Sequence, residues 1–136
     1  RSSRDYTKYF VTLGEERIGP LAKRETVLRV VKHLCDRGVS PEDIRRRVTF
    51  RKKNCFRQAT GAFASEEDFV ASVTEMIAGE GRKFDARRWY TGDGERIERD
   101  GVTYAVSNQW GGRAIEWLEQ VLDAFPGHGV EIEAAD

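Results

Sequence analysis

Apolar and polar positions along the chain fall into alternating short runs and helical stripes. Residues 7–13, TKYFVTL, alternate with Tyr9, Val11 and Leu13 on one face and Phe10 on the other, the period-two pattern of a strand. A polar turn at Gly14-Glu15-Glu16-Arg17 leads into a short return, Ile18-Gly19-Pro20, that the proline is expected to end. Residues 22–37 place Val27, Val30, Val31 and Leu34 at i, i+3, i+4, i+7, with Lys23, Arg24, Arg29 and Lys32 off that stripe. The spacing predicts an amphipathic helix closed by Gly38. Ser40-Pro41-Glu42-Asp43 opens a second, short helix: a capping hydroxyl, a proline at the first helical position and acids at the positive end.

Residues 48–58, VTFRKKNCFRQ, read as strand, turn and strand around Lys52-Lys53-Asn54. Ser65-Glu66-Glu67-Asp68 starts a third helix whose buried stripe would be Phe69, Val70, Val73, Met76 and Ile77, ending at Gly79. Residues 87–107 read as a meander turning at Gly92-Asp93-Gly94 and Asp100-Gly101, with Val102, Tyr104 and Val106 on one face of its last strand. A fourth helix, 114–125, would face inward with Ile115, Leu118, Val121, Leu122 and Phe125. Pro126-Gly127-His128-Gly129 stops it before an edge strand at 130–133. Strands and helices intermingle without strict alternation. The expected fold is therefore one α+β domain spanning 1–136, with about four helices packed on a mostly antiparallel or mixed sheet. Tyr9, Val11, Val31, Leu34, Val73, Ile77, Val106, Leu118 and Leu122 should be buried.

Composition adds a soluble, highly charged character: 39% hydrophobic and 34% charged residues. The apolar runs are too short to cross a bilayer. The polar N-terminus has no apolar segment behind it, so no signal peptide is expected; the missing initiator Met reads as a trimmed tag or a piece of a longer chain. Cys35 and Cys55 are too few for a disulfide scaffold, which points to a reducing cytoplasm. A zinc site from His33, Cys35, Cys55 and His128 would match no familiar ligand spacing, and neither metal nor cofactor is expected.

The net charge of zero conceals a polarity. Residues 1–60 carry 16 Lys/Arg against 7 Asp/Glu, and residues 61–136 carry 7 against 16. Either one half binds a polyanion or the halves attract each other. Arg45, Arg46, Arg47, Arg51, Lys52, Lys53 and Arg57 occupy 13 positions without an acid, interleaved with Phe50 and Phe56. Arginines on a ribbon can neutralise phosphates while aromatics stack on bases. Neutralising Arg51, Lys52 and Lys53 should then weaken binding and flatten its salt dependence. A second cluster, Arg82, Lys83, Arg87 and Arg88, precedes the meander. The 27–48 segment also has the outline of a helix-turn-helix, but its second helix is barely two turns long and led by Glu42 and Asp43, which would meet phosphates. An αα-hairpin covering a sheet fits better.

The stretch GVTYAVSNQWGG, 101–112, ends a strand in two amides, an indole and a Gly-Gly pair. Backbone N–H groups at the following helix start could meet an anion, with Arg113 assisting. Asn108 and Gln109 could read a base or an amide, and Trp110 could stack on a ring. The structural alternative assigns the amides to loop backbone and Trp110 to the core. The block YAVSNQWGGRAIEWLEQVL…HGVEIE resembles the ending of uncharacterised bacterial domains in which a strand closing in S-N-Q-W-G, here Ser107 to Gly111, runs into a helix and a last strand. The resemblance covers the last quarter of the chain. It implies a neighbourhood of restriction, nuclease or mobile-element functions and names no reaction.

No P-loop, HExxH, GxSxG or HNH pattern occurs. The acids Asp93, Glu95, Glu98 and Asp100 could form a nuclease metal site only by converging. The expectation is therefore a non-catalytic nucleic-acid-binding or accessory module of a bacterial DNA-processing or defence system. Its contacts would be Arg45, Arg46, Arg51, Lys52, Lys53, Arg57, Arg87 and Arg88, with a second ligand loop at Asn108, Gln109, Trp110, Gly111, Gly112 and Arg113. The alternatives are a protein-interaction domain docking a partner or flanking domain through the acidic C-terminal half or the edge strand 130–133, and a metal-dependent nuclease. Nothing in the sequence fixes the oligomeric state.

Overall fold

In the computed structural model, residues 6–48 and 55–135 are described. They form the α+β fold that the pattern predicts, with four α-helices and antiparallel pairing in two sheets. The chain divides into two compact units, Arg1–Phe50 with Trp110–Asp136, and Arg51–Gln109.

In the first unit, β1 (Tyr9–Leu13) lies between β2 (Glu16–Leu21) and β7 (Val130–Ala134). Pro20 does not end the return strand. β2 runs through it because the strand is an edge and because the pairing bulges there: Tyr9 faces Leu21 and Val11 faces Ile18, so Gly19 and Pro20 together oppose Phe10. Gly19 has φ +126°, and a Cβ there would lie 2.6 Å from the Tyr9 carbonyl oxygen, so only glycine fits.

Helix α1 (Lys23–Asp36) packs on β1 and on α4 (Ala114–Ala124), and α2 (Pro41–Arg47) packs on α4. Gly38 closes α1 in a Schellman turn: its N–H reaches the Cys35 carbonyl while the N–H of buried Val39 reaches that of Leu34. The Ser40 hydroxyl caps α2 at the Asp43 N–H, 3.0 Å. The buried stripe of α4 is Ala114, Trp117, Leu118 and Val121; Ile115 and Leu122 are only half-buried. The stripe is rotated by one residue from the aliphatic positions, because fully buried Trp117 and small Ala114 complete the helical spacing. Tyr9 is likewise half-buried.

The second unit is built on β6 (Val102–Ser107), central in its sheet and buried from Thr103 to Ser107. That continuous burial replaces the alternation expected of a half-covered strand. One side of β6 pairs with β3 (Phe56–Thr60). The other pairs with both β4 (Trp89–Tyr90) and β5 (Ile97–Arg99), at opposite ends of β6. The 87–107 segment is therefore no simple meander, since β4 and β5 share a partner and the 91–96 loop leaves the sheet between them. Asp100 and Gly101 take positive φ in the β5–β6 turn, as a tight hairpin requires.

Helix α3 (Glu66–Ala78), capped by Ser65, lays Phe69, Val73 and Ile77 on Ala59 and Ala105. Phe63, Val70, Phe84 and Trp89 pack around that core. Met76 is exposed, contrary to the predicted stripe, because the burial follows a single i, i+4 row. Gly79 remains right-handed. It is Gly81, at φ +77°, that turns the chain away, with Arg82 N–H closing on the Ile77 carbonyl. Among the described residues no helix is long and apolar enough to cross a membrane.

Candidate nucleic-acid interface

The second unit contains a cleft of about 420 Å³ lined by Arg57, Lys83, Phe84, Asp85, Arg88, Trp89, Ser107 and Gln109. These residues arrive from several pieces of local structure. Arg57 points from β3, whose partner β6 ends in Ser107, and β4 contributes Trp89 opposite Ser107. Lys83, Phe84 and Asp85 lie between the α3 turn and the 3₁₀ turn Ala86–Arg88, which carries Arg88. Phe84 and Trp89 are half-buried on the hydrophobic core, their rings 6.4 Å apart and tilted by 33°. The Arg57 guanidinium sits 5.0 Å over the Trp89 ring, a cation–π contact that holds it in place.

Three cations face one carboxylate in this lining, and the carboxylate is engaged. Asp85 accepts from the Arg87 backbone N–H at 3.1 Å, capping the 3₁₀ turn, and from the Arg87 guanidinium at 3.1 and 3.4 Å. Arg88 lies 3.7 Å away. The Arg87 side-chain hydrogen bond, then its backbone N–H, hold the Asp85 carboxyl below the usual aspartate range despite a small opposing desolvation. Lys83 is exposed and makes no ion pair among the described residues.

The sequence-predicted contacts thus separate. Arg57 and Arg88 line the cleft, and Arg87 sits on its rim turn bound to Asp85. Arg45 and Arg46 belong to the other unit and pair along α2 with Glu42 and Asp43. Arg51, Lys52 and Lys53, with the turn that would hold them, lie outside the described residues. Lys83, Phe84, Asp85, Trp89 and Ser107 are cleft residues that the list of expected contacts omitted. The available signal was the run KFDARRW, in which two aromatics are interleaved with the second basic cluster.

The NQWGG loop spans the two units. The boundary between the units falls between Gln109 and Trp110. Asn108 serves the backbone: its N–H donates to the Arg88 carbonyl and its Nδ2 to that of Arg87. Gln109 N–H donates to Ser107 Oγ, and its Nε2 to Asn108 Oδ1, which places Gln109 on the cleft. Trp110 packs on Trp117 with centroids 4.7 Å apart. Gly111 and Gly112 adopt no left-handed conformation, and a Cβ at either would meet nothing. Arg113 forms a double hydrogen bond with Glu116 in the first turn of α4, at 2.9 and 3.0 Å. That pairing, led by the side-chain hydrogen bond, lowers the Glu116 pKa.

The meander acids hold loops together. Asp93 accepts from Arg96 at 2.8 Å, Glu95 from the Gly92 N–H at 2.9 Å, and Asp100 lies 3.9 Å from Arg99. His33 Nε2 donates to the His128 carbonyl and Arg37 donates to His128 Nδ1. Cys35 and Cys55 are buried thiols. Among the described residues no group of three His, Cys, Asp or Glu could hold a metal ion. Comparison with protein-family models, characterised proteins and solved structures finds no match.

Proposed function

We propose that this protein is a non-catalytic nucleic-acid-binding module, and that the cleft of the Arg51–Gln109 unit is its contact surface. One observation carries the reading: Arg57, Lys83 and Arg88 surround the half-buried rings of Phe84 and Trp89 in a single concavity. Cations neutralise phosphates and aromatic faces accept bases, and this pairing is the chemical signature of nucleic-acid binding. Among the described residues Arg17–Glu133 joins the basic and acidic halves of the sequence, and the pairs of Arg45, Arg46, Arg87, Arg96 and Arg113 are made within three residues along the chain. The resemblance of the C-terminal block gives the proposed setting, a bacterial DNA-processing or defence system.

The test is anisotropy of labelled oligonucleotides at salt concentrations from about 50 to 200 mM, with wild type and a Lys83→Gln/Arg88→Gln variant. Each phosphate contact removed should lower the slope of log K against log salt by about 0.7 to 0.9. Unchanged affinity and slope would refute the cleft as the contact surface. A second reading, a protein-interaction domain, draws on β7, an edge strand bearing exposed Glu131 and Glu133 that could take up an added strand.

A further inference from the structure

The shape of the cleft bears on which nucleic acid it takes. Proteins that read duplexes insert a projecting helix or ribbon into a groove about 12 Å wide. Here the cationic and aromatic groups line a hollow instead. Its volume of about 420 Å³ lies in the range that encloses a small ligand, about 300 to 1,000 Å³. Bases inside a duplex have both faces covered by their neighbours. Only an unpaired base can lay a face against Phe84 or Trp89.

The polar groups are placed to match such a guest. Arg57, whose guanidinium sits 5.0 Å over the Trp89 ring, brings a planar cation to the aromatic wall, within reach of the phosphate of a nucleotide stacked there. Lys83 and Arg88 come from the segment on either side of Asp85 and extend the positive rim. Asp85 is a positioning residue, since its carboxylate caps the 3₁₀ turn that carries Arg88. Gln109 brings an amide, capable of hydrogen bonding to a base edge, to the same hollow. Its Nε2 donates to Asn108 Oδ1, and its backbone N–H donates to the hydroxyl of buried Ser107.

We infer that the cleft is a single-strand site: it takes one unpaired nucleotide, with the base against the Phe84–Trp89 wall and the phosphate among Arg57, Lys83 and Arg88. The inference rests on the nucleic-acid reading above and adds the discrimination of single strand from duplex.

The experiment uses the full chain and three labelled probes: an oligothymidylate, the same strand annealed to its complement, and an abasic sugar-phosphate strand of equal length. The single strand should bind about tenfold or more tightly than either other probe, the size expected for one stacked base. Trp89→Ala should lose about the same factor on the single strand and nothing on the abasic strand. Because Trp89 also packs on the core, Trp89→Phe, which keeps a ring, and exposed Lys83→Gln are measured alongside. Trp89→Phe should retain most of the single-strand preference, and Lys83→Gln should weaken single-strand and abasic probes alike. Equal, salt-sensitive binding of duplex and single strand would overturn the single-strand inference and leave nucleic-acid binding standing. So would single-strand binding indifferent to base removal. No binding of any probe at low salt would overturn both.

Discussion

Arg96 is the clearest place to test how the cleft is held. Its side chain is 11% exposed, and its guanidinium donates to three oxygens: the Thr91 carbonyl at 3.0 Å, Asp93 Oδ1 at 2.8 Å and the Phe63 carbonyl at 3.1 Å. The first two belong to the loop joining β4 to β5 and the third to the approach to α3. One side chain therefore ties the segment after Trp89 to the helical layer. Arg96→Met keeps the aliphatic stem and removes every donor. Two partly buried carbonyls then lose a charge-assisted partner, at about 1 to 3 kcal/mol each. The bond to Asp93, whose side chain is 75% exposed, adds at most about 1 kcal/mol. Relief of the guanidinium's own desolvation offsets part of this. The expected net loss is about 2 to 3 kcal/mol, a substantial share of the 5 to 15 kcal/mol typical of a domain. Urea unfolding reads it as a lower midpoint at unchanged slope. Asp93→Ala should cost about 0.5 kcal/mol or less, and Arg96→Lys should fall between, since an ammonium cannot span the three acceptors. An Arg96→Met loss below about 0.5 kcal/mol, or an Asp93→Ala loss equal to it, would show that the ion pair or nothing at all holds the loop, and would refute the carbonyl staple.

Two further outcomes follow from local geometry. Gly19→Ala places a Cβ against the Tyr9 carbonyl at a left-handed φ and should destabilise by at least about 1 kcal/mol in the same urea assay; a change within about 0.5 kcal/mol would mean the bulge relaxes freely. The Asp85 carboxyl, held low chiefly by the Arg87 side chain, should titrate by NMR below the ordinary aspartate value of about 3.9, and Arg87→Ala should move it back up. Because its folded pKa is depressed, the stabilisation of the 3₁₀ turn is fully present above that ordinary value and is lost only as pH falls through the lowered one. Binding through Arg88 should therefore show no Asp85-linked change between pH 5 and 7. A midpoint at or above the ordinary value would remove Asp85 as the anchor of the turn.

Much of the fold was legible because helices announce themselves twice, by stripe and by cap. Ser40 and Ser65 each accept the N–H three residues on, as their positions before acidic first turns imply. What periodicity does not carry is partner choice. β4 and β5 read as successive strands of a meander, yet both pair with β6, because adjacency along the chain says nothing about which open edge is nearer. Pro20 misleads for a related reason. It breaks an interior strand but costs little on an edge at a bulge, and edge status depends on the distant pairing of β1 with β7. Trp117 was missed because counting aliphatics alone centres the α4 stripe on Ile115 and Leu122. Admitting Ala114 and Trp117 recovers the i, i+3, i+4, i+7 spacing that the helix buries.

The site was less legible, and the reason is physical. A run of charges in sequence becomes a binding surface only if the fold leaves those charges facing one concavity. The 45–57 cluster looks denser than the 82–88 cluster, yet Arg45 and Arg46 spend their guanidinium groups on Glu42 and Asp43, one turn earlier on the same helix. The sparser cluster has an acid too: Asp85 caps the 3₁₀ turn and lies beside the guanidinium groups of Arg87 and Arg88, and Arg88 still lines the cleft with Lys83 and Trp89. At i, i+3 on a helix an acid faces the cation it precedes, as Glu42 and Asp43 do. Asp85 stands at the same spacing from Arg88 and caps the turn backbone as well. Gln109 follows the same logic: in sequence it belongs with Trp110, but the hydrogen bond from its N–H to Ser107 assigns it to the end of β6 and hence to the cleft. In this chain the short-range hydrogen bonds of acids and hydroxyls, together with the pairing of the strands, decide which basic and polar side chains line the cleft.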